Sequence, residues 1–122
     1  MVLPRGAEHG AVDAPQTFVF QNAFYGAPTV VTVFTPPEFR YSINDASVAA
    51  DNMMLTAWSM GIGSVYIGRS EETFQTEEGK KLMAEAGIPA DYVARVCVCL
   101  GYPDGETGQG KPRKLERVHV VK

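Results

Sequence analysis

Residues 42–68 read SINDASVAADNMMLTAWSMGIGSVYIG, and this stretch decides the fold. Ser42 followed three residues later by Asp45 resembles a capping box, and Gly61 supplies a C-terminal stop, so the spacing predicts a helix that ends near Met60. From Ala46 to Met60 apolar side chains fall on every face, among them Val48, Met53, Met54, Leu55, Trp58 and Met60, and Asp51 is the only charge. A helix apolar all round must be covered all round. A chain of 122 residues with few other helices has little material for that cover, which predicts a subunit interface along this helix. The alternative is a central helix buried by its own chain.

The segment SVYIG that follows reads as a short strand, and glycines 61, 63 and 68 punctuate the seam. A dinucleotide fingerprint G-x-G-x-x-G fails here on two counts. Tyr66 stands where the third glycine belongs, and the order is helix to strand rather than strand to helix. Gly61 as a helix cap and Gly63 as a turn residue account for two of the glycines. Gly68 is left over. A glycine at a strand end lets a flat ligand approach the backbone closely, where main-chain amides can donate to it.

Outward from this core, residues 1–16 mix Gly, Pro, Ala and charge without periodicity and read as a mobile arm before a single domain spanning 17–122. PTVVTVFT (28–35), closed by Pro36 and Pro37, predicts a buried strand. SEETFQTEEGKKLMAEAG (70–87) reads as helical, with Glu77 four residues before Lys81 and Gly87 ending it ahead of Pro89. YVARVCVCLGYP (92–103) predicts a second buried strand, with Val96, Val98 and Leu100 on one side and Cys97 and Cys99 on the other. After the polar DGETGQG, the last residues of KPRKLERVHVVK alternate enough for an edge strand or an arm laid on a neighbour.

Composition narrows the function classes. With 45% hydrophobic residues and a formal charge of -3, the chain suits one globular domain able to bury a modest core. No run approaches the roughly 18 apolar residues of a membrane span, and MVLPRGAEHG lacks the apolar region of a secretory signal, so the expectation is a cytoplasmic protein without a membrane partner. Cys97 and Cys99 share one strand face, a poor geometry for bridging to each other, and read as small core residues rather than a redox or metal pair. His9 and His119 have no ligand spacing around them, so no metal site is expected.

Lys111, Arg113, Lys114, Arg117 and Lys122 concentrate positive charge in the last twelve positions. Lys111 and Arg113 flank Pro112, which holds two cations on a stiffened backbone and suits one phosphate monoester; a solvated basic tail is the alternative. Nucleic acid is disfavoured by the short cluster, the negative net charge and the lack of interleaved aromatics. No Ser-His-Asp, Cys-His or paired-carboxylate pattern is visible, so no catalytic side chain is named.

Four blocks in order, FYGAPTVVTVF (24–34), DASVAADNMMLTAWSMGIGSVYIG (45–68), IPADYVARVCVCLGYP (88–103) and KPR (111–113), resemble the FMN-dependent nitroreductase family over roughly residues 18–118. The resemblance implies an α+β sandwich, with helices around a mostly antiparallel sheet, assembled as an intertwined homodimer with FMN at the subunit interface. It places the backbone of Tyr66, Ile67 and Gly68 against the flavin ring, gives Lys111 and Arg113 the FMN phosphate, and leaves Gly26, Ala27 and Pro28 a structural role. The implied activity is two-electron ping-pong transfer from NAD(P)H to a nitroaromatic or quinone-like acceptor, with the chemistry carried by the flavin. Family members begin with an Arg-rich helical segment that completes the phosphate site, and Arg5 in MVLPRGAEH does not sit in such a motif. The expectation is therefore a shortened or processed member, or one completed by another chain. The alternative is a non-enzymatic dimerisation or regulatory module that has lost flavin binding.

Overall fold

The computed structural model describes the backbone of residues 2–3 and all of residues 23–121. In chain order the elements are β1 (Val2–Leu3), β2 (Thr29–Thr35), α1 (Ser42–Ser59), β3 (Gly63–Ile67), α2 (Ser70–Phe74), α3 (Glu77–Glu85) and β4 (Val93–Gly101). The strands form one antiparallel sheet in the order β1-β2-β4-β3. Of the residues read as an arm, Val2 and Leu3 run beside Val31 and Val30; residues 4–16 lie outside the described residues.

The β-branched run of β2 and the apolar run of β4 pair from Thr29 opposite Leu100 to Thr35 opposite Val93, with an irregularity between Val33 and Phe34. Strand β4 is central and covered on both faces, as its apolar run from Val96 to Leu100 requires. Val96 and Val98 lie under Ala46 and Ala50 of α1, and all four are essentially inaccessible. Cys97 and Cys99 point the other way, into a cluster with Phe24, Val30, Ile67, Phe74 and Met83. The alternation predicted for β4 is the one observed.

Helix α1 buries Ser42, Ala46, Ala50 and Ala57, small residues about one turn apart that let the helix lie close on the sheet. Its opposite side exposes Ile43, Val48, Leu55 and Trp58, each more than 60% accessible. Gly61, at φ +73°, ends the helix in a Schellman motif: its N–H donates to Trp58 O (3.0 Å) and that of Ile62 to Ala57 O (2.8 Å). The capping box at the other end does not form. Tyr41 is the N-cap, without a side-chain cap bond, and Ser42 is already helical and buried against the sheet. Burial of a small residue at 42 outweighs its capping tendency.

The region 70–87 is two helices rather than one. Thr76 interrupts it as an N-cap, its backbone extended and its Oγ1 accepting from Gly79 N at 3.1 Å. That hydroxyl also reaches Thr73 O at 2.8 Å, stitching the end of α2 to the start of α3. The expected pairing of Glu77 with Lys81 is replaced by Glu77 with Lys80 (3.1 Å) and Lys81 with Glu85 (4.0 Å). Gly87, at φ +69°, closes α3 where expected. Arg95, at the start of β4, ties the corner together by donating to Thr35 Oγ1, Pro37 O and Glu71 Oε2.

Beyond Gly101 the described residues are exposed, and the only regular element among them is a 3-10 turn at Leu115–Arg117. The edge strand expected of the last residues does not form within one chain. No helix among the described residues is long and apolar enough to cross a membrane.

Candidate functional site

Where β2 begins and β4 ends, on the cysteine face of the sheet, lies an open groove of about 640 Å³. One wall is a tight turn leading into β2. Ala27 N–H donates to Phe24 O at 3.0 Å, and the two central residues, Tyr25 and Gly26, both have positive φ (54° and 67°), as a type I′ turn requires. Phe24 anchors the turn in the core, while Tyr25 is 78% exposed. Pro28 then lies on Gly101, where an added Cβ would be 3.3 Å from the proline ring.

The other wall is β3. Gly63 does not turn the chain, as expected, but opens the strand, and a Cβ there would come within 3.2 Å of Gly101 O. Val65 pairs with Cys99 and faces the groove; Tyr66 pairs with Val98, which faces α1. The Tyr66 hydroxyl donates to Ser47 Oγ (3.2 Å), because the Ser47 hydroxyl itself donates to Ile43 O (2.7 Å). With its ring turned toward α1, Tyr66 offers the groove chiefly its main chain. Strand β3 is an edge of the sheet, so alternate N–H and C=O groups along its outer side have no partner within the ladder.

Gly68 follows β3. Nothing among the described residues lies within 4 Å of the place its Cβ would occupy, and its φ is not left-handed. Neither packing among the described residues nor backbone conformation requires glycine there.

The groove is apolar, and among the described residues no Asp, Glu, Lys, Arg or His lines it. Cys99 contributes a thiol that contacts Phe24 O at 3.6 Å; burial, reinforced by neighbouring Cys97, pushes its pKa up to about 11. Cys97 is also raised by burial, which outweighs its hydrogen bonds with Ser70 and with Thr32 Oγ1 (3.1 Å). Both thiols stay protonated near neutrality, poor nucleophiles and poor metal ligands. Among the described residues no cluster of three or more His, Cys, Asp or Glu could hold a metal ion. The arrangement can bind a flat, largely apolar group with polar atoms on its rim.

Of the residues singled out from sequence, Tyr66 and Ile67 line the groove and Gly68 follows directly on their strand. Lys111 and Arg113 do not line it; both are exposed on the segment after β4, although Thr107 of that segment does reach the groove. Sequence reading missed Tyr25, Cys99 and Tyr102 as lining residues. The signal for Tyr25 was its glycine neighbour, a pair that marks a left-handed turn ahead of a strand.

Comparison with known proteins agrees with this architecture. A protein of Archaeoglobus fulgidus that carries the name NADH dehydrogenase/NAD(P)H nitroreductase is 33% identical over 97 residues, 75% of this chain and 53% of its own. The crystal structure of a nitroreductase with bound FMN from Bacteroides fragilis superposes with a TM-score of 0.71 at 31% identity, over 82% of this chain and 54% of that one. A nitroreductase from Desulfitobacterium hafniense, also with bound FMN, shares the fold at a TM-score of 0.68 and 22% identity, over 93% of this chain and 63% of that one. The chain thus spans about half the length of the Archaeoglobus and Bacteroides proteins. The α+β nitroreductase fold is the fold observed here, with helices on both faces of an antiparallel sheet. The model of the nitroreductase family matches residues 3–102, from β1 to just past the end of β4, and the chain belongs to that family.

Proposed function

We propose that this chain is part of an FMN-dependent NAD(P)H oxidoreductase of nitroreductase type, a cytoplasmic homodimer that reduces nitroaromatic or quinone-like acceptors. The observation that carries the reading is the edge of β3: the main chain of Tyr66 and Ile67 borders the groove, and Gly68 follows as a glycine that nothing among the described residues demands. The residues present fit a flavin ring. The groove lies within the roughly 300–1,000 Å³ usual for cofactor pockets, it is apolar, and unpaired backbone groups run along one rim. Bound there, FMN would supply hydride chemistry.

The chain's own part is to seat and orient the ring. Lys111 and Arg113 would close on the phosphate from the exposed segment after β4, as a charge-assisted pair. A second copy would cover the outer side of α1, whose apolar side chains a single chain leaves in water. The relatives' names, which cite NADH, NAD(P)H nitroreduction and bound FMN, support the donor and the cofactor. Two buried, unbridged cysteines suit a reducing compartment.

The position of Lys111 and Arg113 away from the groove lining favours one other reading, a dimerisation or regulatory module without flavin. Titration of the full chain with FMN and riboflavin, followed by flavin fluorescence, separates the two. FMN is expected to bind more tightly than riboflavin. Arg113→Ala should weaken FMN by about ten- to a hundredfold, from the roughly 1.5–3 kcal/mol of a charged hydrogen bond, and leave riboflavin unchanged. Equal affinities throughout would remove the phosphate grip, and no binding by the parent chain would leave the module.

A further inference from the structure

We infer that Tyr25 and Tyr102 are the side chains that hold the flat ring of the groove's ligand, Tyr25 being carried to the mouth by its strained turn. The inference rests on the flavin reading above. Its starting point is a mismatch between residue and backbone. Type I′ turns favour Asn-Gly because both central residues need positive φ. Here a bulky aromatic takes the first of those positions, at φ 54°, a conformation that L side chains avoid.

Burial does not compensate: Tyr25 is 78% exposed, and the work of anchoring the turn falls to Phe24, which is 3% exposed. A backbone outlier held at the rim of a cavity points to function rather than to packing. Tyr102, the first residue after β4, is 83% exposed and lines the same groove. Two exposed tyrosines therefore share one opening at which no charged side chain is found among the described residues.

That combination selects the ligand chemistry. Tyrosine presents a large π-face with little conformational entropy to lose, and stacks best on an extended planar ring. A flat ring adds this stacking to the apolar burial that the aliphatic walls offer any ligand. An isoalloxazine ring, with apolar faces for Tyr25 and Tyr102 and polar edge atoms for the free backbone of β3, uses all of the groove's features.

The test exploits the turn itself. Tyr25→Asn creates the preferred Asn-Gly pair and removes the ring, so the thermal midpoint should hold or rise while flavin binding falls. With the full chain, FMN and lumiflavin (the ring without its ribityl phosphate) should each bind about three- to tenfold more weakly to Tyr25→Asn and to Tyr102→Ala. Tyr25→Phe and Tyr102→Phe, which keep the π-face, should bind as the parent does. Unchanged affinity in a stable Tyr25→Asn would overturn the inference and leave the flavin reading standing. A lowered midpoint would also overturn it, by making the ring part of the fold. Failure of the parent to bind either flavin would remove both.

Discussion

Gly79 lies so close to Phe74 that a Cβ on it would stand 2.5 Å from the Phe74 Cα and 2.6 Å from Thr73 O. The contact joins α3 to the end of α2, where the chain breaks at Thr76. Helix propensity alone says that Gly79→Ala should stabilise the protein by about 1 kcal/mol. Packing says the reverse, because backbone atoms cannot yield as a side chain can. The expected outcome is a net loss of roughly 1–3 kcal/mol in urea unfolding; a gain in stability would mean that α2 and α3 separate freely.

Arg95 and Glu71 should respond unequally although they form one ion pair at 3.4 Å. The Arg95 side chain is 13% exposed and donates to Thr35 Oγ1 and Pro37 O besides Glu71; the Glu71 side chain is half exposed. Arg95→Met is expected to cost about 1–3 kcal/mol, because it strands acceptors on the β2 side. Glu71→Gln should cost less than about 1 kcal/mol, the range of a solvated pair. Denaturant midpoints for the two variants check the ordering.

Leu55 distinguishes a surface helix from an interface. At 62% exposure in one chain, Leu55→Asp should leave the monomer's fold intact. If a second copy covers α1, the same change places an unpaired carboxylate in an apolar contact, at a cost of several kcal/mol in order of magnitude. Sedimentation is expected to show a dimer for the parent at micromolar concentration and a monomer for the variant, with far-UV circular dichroism unchanged. A parent that sediments as a monomer would remove the interface.

The two cysteines give a pH dependence with a definite sign. Burial raises both thiol pKa values in the folded chain, Cys99 to about 11, against the ordinary value of 9.0. Below pH 9 both states keep their protons and the thiols contribute no slope. Above it the unfolded chain ionises first, so stability should fall as pH rises from about 9 toward 11. Urea midpoints across this range should decline for the parent and flatten in the Cys97→Ala, Cys99→Ala double variant. At pH 7.5 both thiols should resist alkylation until the chain is unfolded.

The elements that sequence made legible are those whose pattern and burial agree. In β4 the division of valines from cysteines follows from strand alternation, and Gly61 and Gly87 mark their helix ends because both take the left-handed conformation that glycine favours. Local patterns misled where tertiary contacts outweighed them. Ser42 has a capping side chain but is buried in α1, and the periodicity of 70–87 hides a break made by one threonine hydroxyl. The groove was legible only in part. Residues 66–68 are consecutive at the end of β3 and just beyond it, whereas Tyr25, Cys99 and Tyr102 join them through turn geometry and strand register, which no short sequence window contains.

The order of the sheet has a consequence for biosynthesis. Strands β2 and β3 are not neighbours in the sheet; each pairs with β4, the last of the four to be made. On the ribosome β2 therefore waits for its central partner while everything from Pro36 to Tyr92 is translated, on the order of 3–12 seconds at roughly 5–20 residues per second. During that interval Val30 and Ile67 have no β4 to bury them, so the nascent chain exposes the sticky surface that holdase chaperones recognise. Translation slowed in this interval would prolong that exposure, whereas the same pause placed after Gly101 would find the sheet's template already synthesised.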